Sequence, residues 1–140
     1  MSYTWDSNLE TGNTAIDNQH KQLFAAVNAL YDAHREGKGQ AEVEKTMDFL
    51  LAYTIKHFAD EEKLQEKYLY PGFLTHRQTH MDFKATASRL AREMSEVGPS
   101  DEFIGRVYAL IGDWLVNHIK GDDFGMAAFV QNKEKEASGK

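Results

Sequence analysis

The sequence predicts an all-α protein: an up-down-up-down four-helix bundle with an N-terminal arm. Three observations predict this fold. Apolar residues recur at alternating steps of three and four along four long segments, which is the period of an amphipathic helix and not of a strand. Glycine- and proline-containing breakers near residues 38, 71 and 98 separate the segments. The 140 residues, 41% of them hydrophobic, suffice for one domain. We assign residues 1–130 to this domain and residues 131–140 to a polar C-terminal tail, which we expect to fray.

The first two helices follow an arm that we expect to cover residues 1 to about 16, with Asp17 as the N-cap of the first helix. The buried face of the first helix is predicted to carry Ile16, His20, Leu23, Val27 and Leu30. Gly37-Lys38-Gly39 then reverses the chain. The buried face of the second helix is predicted to carry Met47, Leu50, Thr54, His57, Glu61, Leu64 and Tyr68.

The third and fourth helices show the same periodicity. Tyr70-Pro71-Gly72 precedes the third helix, and Gly98-Pro99-Ser100 precedes the fourth, for which Ser100 or Asp101 suits the N-cap. The stripe of the third comprises Phe73, His76, His80, Phe83, Ala87, Leu90 and Met94. The stripe of the fourth comprises Phe103, Val107, Leu110, Trp114 and His118. Short connections between such helices favour an antiparallel bundle.

Composition excludes several function classes. The net charge of −6 argues against nucleic acid or an anionic membrane surface as the main partner. Without cysteine the chain can form no disulfide, thiolate metal site or cysteine nucleophile. No secretion signal is visible at the N-terminus, and no apolar run is long enough to insert directly into a membrane, so we expect a cytoplasmic protein.

Polar residues interrupt the apolar stripes of all four helices. They are His20, His57, Glu61, His76, His80 and His118. Counted from the turns, these residues differ in height by one to four residues, or roughly 2–6 Å at about 1.5 Å per residue. We therefore expect the six side chains to meet at one level of the bundle. His34 continues the first stripe but lies about 21 Å along the axis from His20, so we expect it at a helix end. Asp60 and Glu62 flank Glu61 off its face, and we expect both to be solvated.

A buried cluster of imidazoles and a carboxylate predicts a metal site. Five histidines exceed the four ligands of a closed zinc site, and magnesium or calcium sites use oxygen ligands. Mixed nitrogen and oxygen ligation of two ions suits iron better than copper or manganese, with Glu61 placed to bridge the ions. His76-x-x-x-His80 lacks the catalytic Glu of a zincin helix, because Arg77 stands in its place. No Glu lies three residues before a His, which disfavours a ferritin-like di-iron site.

The ordered set of motifs resembles the hemerythrins from about Trp5 to about Phe129. The resemblance rests on Trp5…Gly12…Asp17-x-x-His20, His57-x-x-x-Glu61, His76-x-x-x-His80 and His118-x-x-x-x-Asp123. On a regular helix Asp122, not Asp123, shares the face of His118. We choose Asp123 on the resemblance, with Gly121 as a point where the helix could end or distort.

The resemblance implies two non-haem Fe ions, joined by an oxo or hydroxo bridge, that bind O2 reversibly. His76, His80 and His118 would hold one iron, and His20 and His57 the other, which keeps a vacant position for O2. Glu61 and Asp123 would bridge the two irons. Expected pocket walls are Leu23, Phe58, Trp114, Leu115 and Ile119.

The implied function is oxygen storage, delivery or sensing, with O2 as the ligand and an O2-consuming enzyme as a partner. The alternative is a di-iron enzyme that consumes peroxide or nitric oxide, or an iron-centre repair protein. An enzyme needs a general acid or base beside the open iron, and the predicted apolar wall offers none. The sequence therefore favours a binding protein over an enzyme.

Overall fold

The computed structural model describes residues 3–138 and confirms the predicted all-α bundle. Its main helices are α1 (Thr14–Arg35), α2 (Gln40–Lys67), α3 (Phe73–Val97), α4 (Asp101–His118) and α5 (Phe124–Ser138). A 3-10 helix, Ser7–Leu9, precedes α1, and a π-helical turn, Ile119–Asp123, joins α4 to α5. Residues 3–138 contain no strand. None of the helices described is long and apolar enough to cross a membrane.

Side-chain caps set the starts of two helices. Asn13, not Asp17, is the N-cap of α1, and its side-chain oxygen accepts a hydrogen bond from the Ile16 N–H at 3.1 Å. The expectation for Asp17 is wrong because its carboxylate instead accepts from the backbone and hydroxyl of Thr11, and so holds the arm against the first turn. Ser100 caps α4 as expected, accepting from the Phe103 N–H.

The N-terminal arm is fixed to the bundle through Tyr3. Its backbone N–H and carbonyl both bond the side-chain amide of Asn28, at 3.0 and 2.7 Å. Its hydroxyl donates to Asp113 at 2.9 Å, and its ring packs on Tyr108 with 4.8 Å between centroids. These contacts join the arm to both α1 and α4.

The core runs along the bundle axis, with α1 packed against α2 and α4, and α2 packed against α3. Its least exposed members include Val27, Leu30, Phe58, Ile104 and Val107. Burial of such side chains stabilises the fold by about 1.5–3 kcal/mol each. The bundle interior is therefore largely apolar, and the polar side chains predicted to meet at one level lie within it.

The C-terminal region differs from expectation. The chain continues from α4 through the π-helical turn into α5, which extends to Ser138 and so includes most of the segment expected to fray. Met126 and Val130 of α5 form a second small core with Ile16 of α1. Residues 132–137 are exposed, consistent with their polar sequence.

Candidate metal centre

All seven residues predicted as ligands lie inside the bundle at one level. Each is at most 4% exposed, although each carries a polar or ionisable group. His20 comes from α1, His57 and Glu61 from α2, His76 and His80 from α3, His118 from the end of α4, and Asp123 from the π-helical turn. Five separate elements therefore converge, which matches the common height counted along the sequence.

The potential ligand atoms form two overlapping groups, in each of which all the atoms lie within 4.8 Å of one another. The three-histidine group comprises His76, His80 and His118 with Glu61 and Asp123. The two-histidine group comprises His20 and His57 with the same two carboxylates. Two groups that share two carboxylates can hold two adjacent cations.

The two shared carboxylates each direct one oxygen toward each group. Glu61 places Oε2 3.3 Å from His57 Nε2, and Oε1 3.2 Å from His80 Nε2. Asp123 places Oδ2 2.9 Å from His20 Nε2, and Oδ1 3.0 Å from His76 Nε2. None of the four oxygens, all of which are buried, forms an aligned hydrogen bond. Buried acceptors without such bonds are costly, so the arrangement suits cations between the oxygens and the nitrogens.

The inner histidine nitrogens also face one another. Nε2 of His20 lies 3.1 Å from Nε2 of His57, and Nε2 of His118 lies 2.9 Å from that of His76 and 3.1 Å from that of His80. A neutral imidazole has one N–H and one lone pair, so three converging nitrogens cannot all be satisfied by protons between them. A cation can accept all of these lone pairs at once, and imidazole with carboxylate is a donor set that suits iron.

In the cluster the pKa values of Glu61 and Asp123 are lowered and those of His20 and His118 are raised. Burial would raise the pKa of Glu61, but the charge of His57 and the close approach of His20 and His80 hold it well below its usual value. Burial and the Glu61 charge would raise the pKa of Asp123, yet the close approach of His118, His20 and His76 lowers it to about 2. Burial would lower the pKa of His20, but Asp123 and Glu61 raise it to about 9. The two buried carboxylates thus favour positive charge beside them.

The π-helical turn explains why Asp123 and not Asp122 enters the cluster. The Phe124 N–H donates to the carbonyl of Ile119, five residues back, which widens the turn by one residue. Asp123 is consequently fully buried, while the side chain of Asp122 is 45% exposed. A regular helix would have placed Asp122 inward, as the periodicity indicates.

The outer nitrogens of four histidines contact polar side chains. Gln19 Oε1 lies 2.6 Å from His57 Nδ1, Glu62 Oε2 lies 3.1 Å from His80 Nδ1, and Asp122 Oδ2 lies 2.9 Å from His118 Nδ1. Gln65, fully buried, places its amide 2.7 Å from His76 Nδ1. Such outer partners orient histidines so that the inner nitrogen faces a metal.

These outer partners were not predicted from the sequence, and the expectation that Glu62 is solvated is wrong. Glu62 is only 18% exposed, because α3 brings His80 and Arg77 against it. One signal was available for Gln65: it lies four residues after Glu61 and so shares its buried face. Asp60, by contrast, is partly exposed and is bonded by Lys56 and Gln19.

The predicted wall residues surround this level unevenly. Leu23, Phe58, Leu115 and Ile119 are buried, and Trp114 is partly buried. The Phe58 ring stacks on His80 with 3.9 Å between centroids, and the Trp114 ring stacks on His118 at 4.4 Å. Aromatic faces thus cover two rings of the three-histidine group and fix their planes.

Comparisons with known proteins agree with this geometry. The family model for the hemerythrin HHE cation binding domain matches residues 11–130. The chain is 35% identical over 133 residues to a bacteriohemerythrin of Pseudomonas paraeruginosa (strain DSM 24068 / PA7), covering 94% of this chain and 84% of that protein. It is 30% identical over 122 residues to a myohemerythrin of Sipunculus nudus, covering 87% and 88%. A crystal structure of wild-type hemerythrin superposes with a TM-score of 0.79 at 28% identity, covering 91% of this chain and 97% of that one.

Proposed function

This chain belongs to the hemerythrin family, and we propose that its seven clustered side chains hold two non-haem iron ions that bind O2 reversibly. The proposal is carried by one observation: each of two buried carboxylates directs one oxygen to a three-histidine group and the other to a two-histidine group. That is the arrangement required of ligands that bridge a pair of ions.

The roles of the ligands follow from this grouping. His76, His80 and His118 would hold one iron, His20 and His57 would hold the other, and Glu61 and Asp123 would be shared between them. The two-histidine group has fewer protein donors, so O2 would bind on its side of the cluster. Two ferrous ions held there would supply the electrons for reversible O2 binding.

Few buried polar side chains surround the proposed ligands. Apart from the seven proposed ligands, the polar side chains classed as buried among the described residues are Thr54 and Gln65. The Thr54 hydroxyl donates to the Leu50 carbonyl, and Gln65 contacts His76. Neither is a general acid or base at neutral pH. This supports oxygen storage, delivery or sensing rather than catalysis, and an O2-consuming enzyme would be a suitable recipient.

The proposal is tested by iron content and visible absorption of the purified chain. We expect two irons per chain and an absorption band that appears with O2 and disappears when O2 is removed, over repeated cycles. Repeated turnover of peroxide or nitric oxide in a stopped-flow experiment would instead support a di-iron enzyme. Fewer than two irons would contradict the proposal.

A matched pair of histidine variants separates the site from the rest of the chain. His57→Ala removes one of the two nitrogens of the two-histidine group and should abolish the O2-dependent band. His34→Ala is the control, since His34 bonds Asp101 away from the cluster. It should keep both irons and the band. Loss of the band in both variants, or in neither, would contradict the assignment.

A further inference from the structure

We propose that the two iron positions differ in strength, because Glu62 and Asp122 make the three-histidine position bind its ion more tightly and release it last. This inference rests on the proposed iron pair. It concerns two residues outside the ligand set, which act through His80 and His118 and are therefore positioning residues.

The three-histidine group is backed by two anionic partners. Glu62 Oε2 lies 3.1 Å from His80 Nδ1, and Asp122 Oδ2 lies 2.9 Å from His118 Nδ1. The Glu62 contact is a hydrogen bond, and because a carboxylate only accepts, it keeps the proton on the outer nitrogen of His80 and the lone pair on the inner one. Asp122 forms no aligned hydrogen bond with His118 Nδ1 and acts on that ring through its nearby charge. The negative charge of each carboxylate also makes the imidazole a stronger donor toward a cation.

Within residues 3–138, the two-histidine group has no anionic partner at an outer nitrogen. His57 Nδ1 contacts Gln19 Oε1, a neutral acceptor, at 2.6 Å. The orientation of this amide is fixed, because its Nε2 donates to Asp60 at 2.8 Å while Asp60 also pairs with Lys56. His20 Nδ1 is buried and has no hydrogen-bond partner. In this group the outer nitrogen of His57 therefore has a neutral amide partner, and that of His20 has no polar partner, so packing alone positions the His20 ring.

The remaining ring of the three-histidine group, His76, also has a neutral partner. Gln65 Oε1 is buried without a partner, and a half-turn of the amide would bring this acceptor to His76 Nδ1. The contrast between the groups is thus two nearby carboxylates, of which Glu62 is hydrogen-bonded to its histidine, against none. Loss of an outer partner typically costs about 10- to 100-fold in metal affinity. Glu62 is more enclosed than Asp122, so solvent screens its charge less and its effect should be the larger.

Iron release from the loaded, full-length chain tests this difference. The reduced protein is mixed without air with an excess of a coloured ferrous chelator, and the absorbance is followed over time. We expect two phases, one iron in each. Glu62→Gln keeps an acceptor and removes the charge, so it should speed the slow phase by about 10-fold or more and leave the fast phase unchanged. Asp122→Asn should do the same to a smaller extent.

Control variants separate this effect from a general loss of charge. Glu66 and Asp48 are exposed residues of α2. Neither Glu66→Gln nor Asp48→Asn should therefore change either phase of iron release. Gln19→Leu should speed the fast phase alone. His57→Ala, which breaks the two-histidine group, should retain one iron and release it at the slow rate. Circular dichroism should show unchanged helix content in the Glu62 and Asp122 variants.

Two results overturn the inference while leaving the proposed function intact. One is release of both irons in a single phase from a protein that still shows the O2-dependent band. The other is a folded Glu62→Gln protein whose slow phase is unchanged. Fewer than two irons per chain before chelation would instead contradict the proposed function.

Discussion

Gly112→Ala should destabilise the bundle because the Tyr3 ring of the N-terminal arm packs directly against Gly112. A Cβ built at Gly112 would lie 2.1 Å from two ring atoms of Tyr3. Carbon atoms pack at about 3.5–4.0 Å, so the ring would have to withdraw by more than about 1 Å. Withdrawal would disturb the hydrogen bonds that Tyr3 forms with Asn28 and Asp113.

The magnitude follows from comparison with a second glycine of the same helix. Overpacking lowers the free energy of unfolding by about 1–3 kcal/mol. Replacing Gly by Ala inside a helix, by contrast, raises it by about 0.5–1 kcal/mol. At Gly105 a Cβ would meet nothing within 4 Å, so Gly105→Ala should show the helix gain alone. Since that gain is common to both variants, the difference between their free energies of unfolding isolates the clash, at about 1–3 kcal/mol.

Urea unfolding of the iron-loaded chain, followed by circular dichroism, measures this difference. In a Tyr3→Ala background, from which the ring is absent, Gly112→Ala should become as favourable as Gly105→Ala. Equal effects of the two glycine substitutions in the wild-type background would refute the reasoning. So would a penalty for Gly112→Ala that persists without the Tyr3 ring, because the clash would then lie elsewhere.

Three further outcomes are expected. Burial and the hydrogen bond to Asp113 raise the pKa of Tyr3 to about 12. The folded chain then keeps a proton that the unfolded chain releases near pH 10, so stability should fall as pH rises from 10 toward 12. Tyr3→Phe should weaken this dependence in urea titrations without abolishing it, because burial also raises the pKa of Tyr70 and Tyr108. Leu115→Asn places a polar group in the buried layer one turn before His118, and the visible absorption of the oxygenated chain should decay faster in air; an unchanged decay would remove Leu115 from the pocket wall. Phe58→Ala removes a fully buried ring stacked on His80 and should cost about 3–5 kcal/mol in urea unfolding, whereas a cost below about 1 kcal/mol would mean that the ring is not part of the core.

Much of the site could be predicted because helical periodicity is a local property. His57, Glu61, His76 and His80 lie on the inward faces of α2 and α3, whose geometry is regular through these positions. Counting residues from each turn then predicted the common level, since residues equally far from a short turn lie at the same height in antiparallel helices. The fold class followed from the same signals.

The parts that could not be predicted depend on departures from local regularity or on contacts between helices. The inward position of Asp123 depends on one widened turn, which periodicity alone contradicts. Glu62 lies off the ligand face of α2 and is covered only because His80 of α3 approaches it from the side. Asn13 is the N-cap of α1 in place of Asp17, because the Asp17 carboxylate is bonded to the backbone and hydroxyl of Thr11.

The widened turn between His118 and Asp123 makes the chain respond differently to loss and gain of a residue there. A regular helix returns to nearly the same direction after four residues, whereas this turn uses five. Deleting one residue would let ordinary helical geometry take over and would still direct the carboxylate toward the two histidine groups. Inserting one would rotate Asp123 by about 100° toward water and separate it from both groups. Length variation among descendants of this chain should therefore run toward the shorter form at this point.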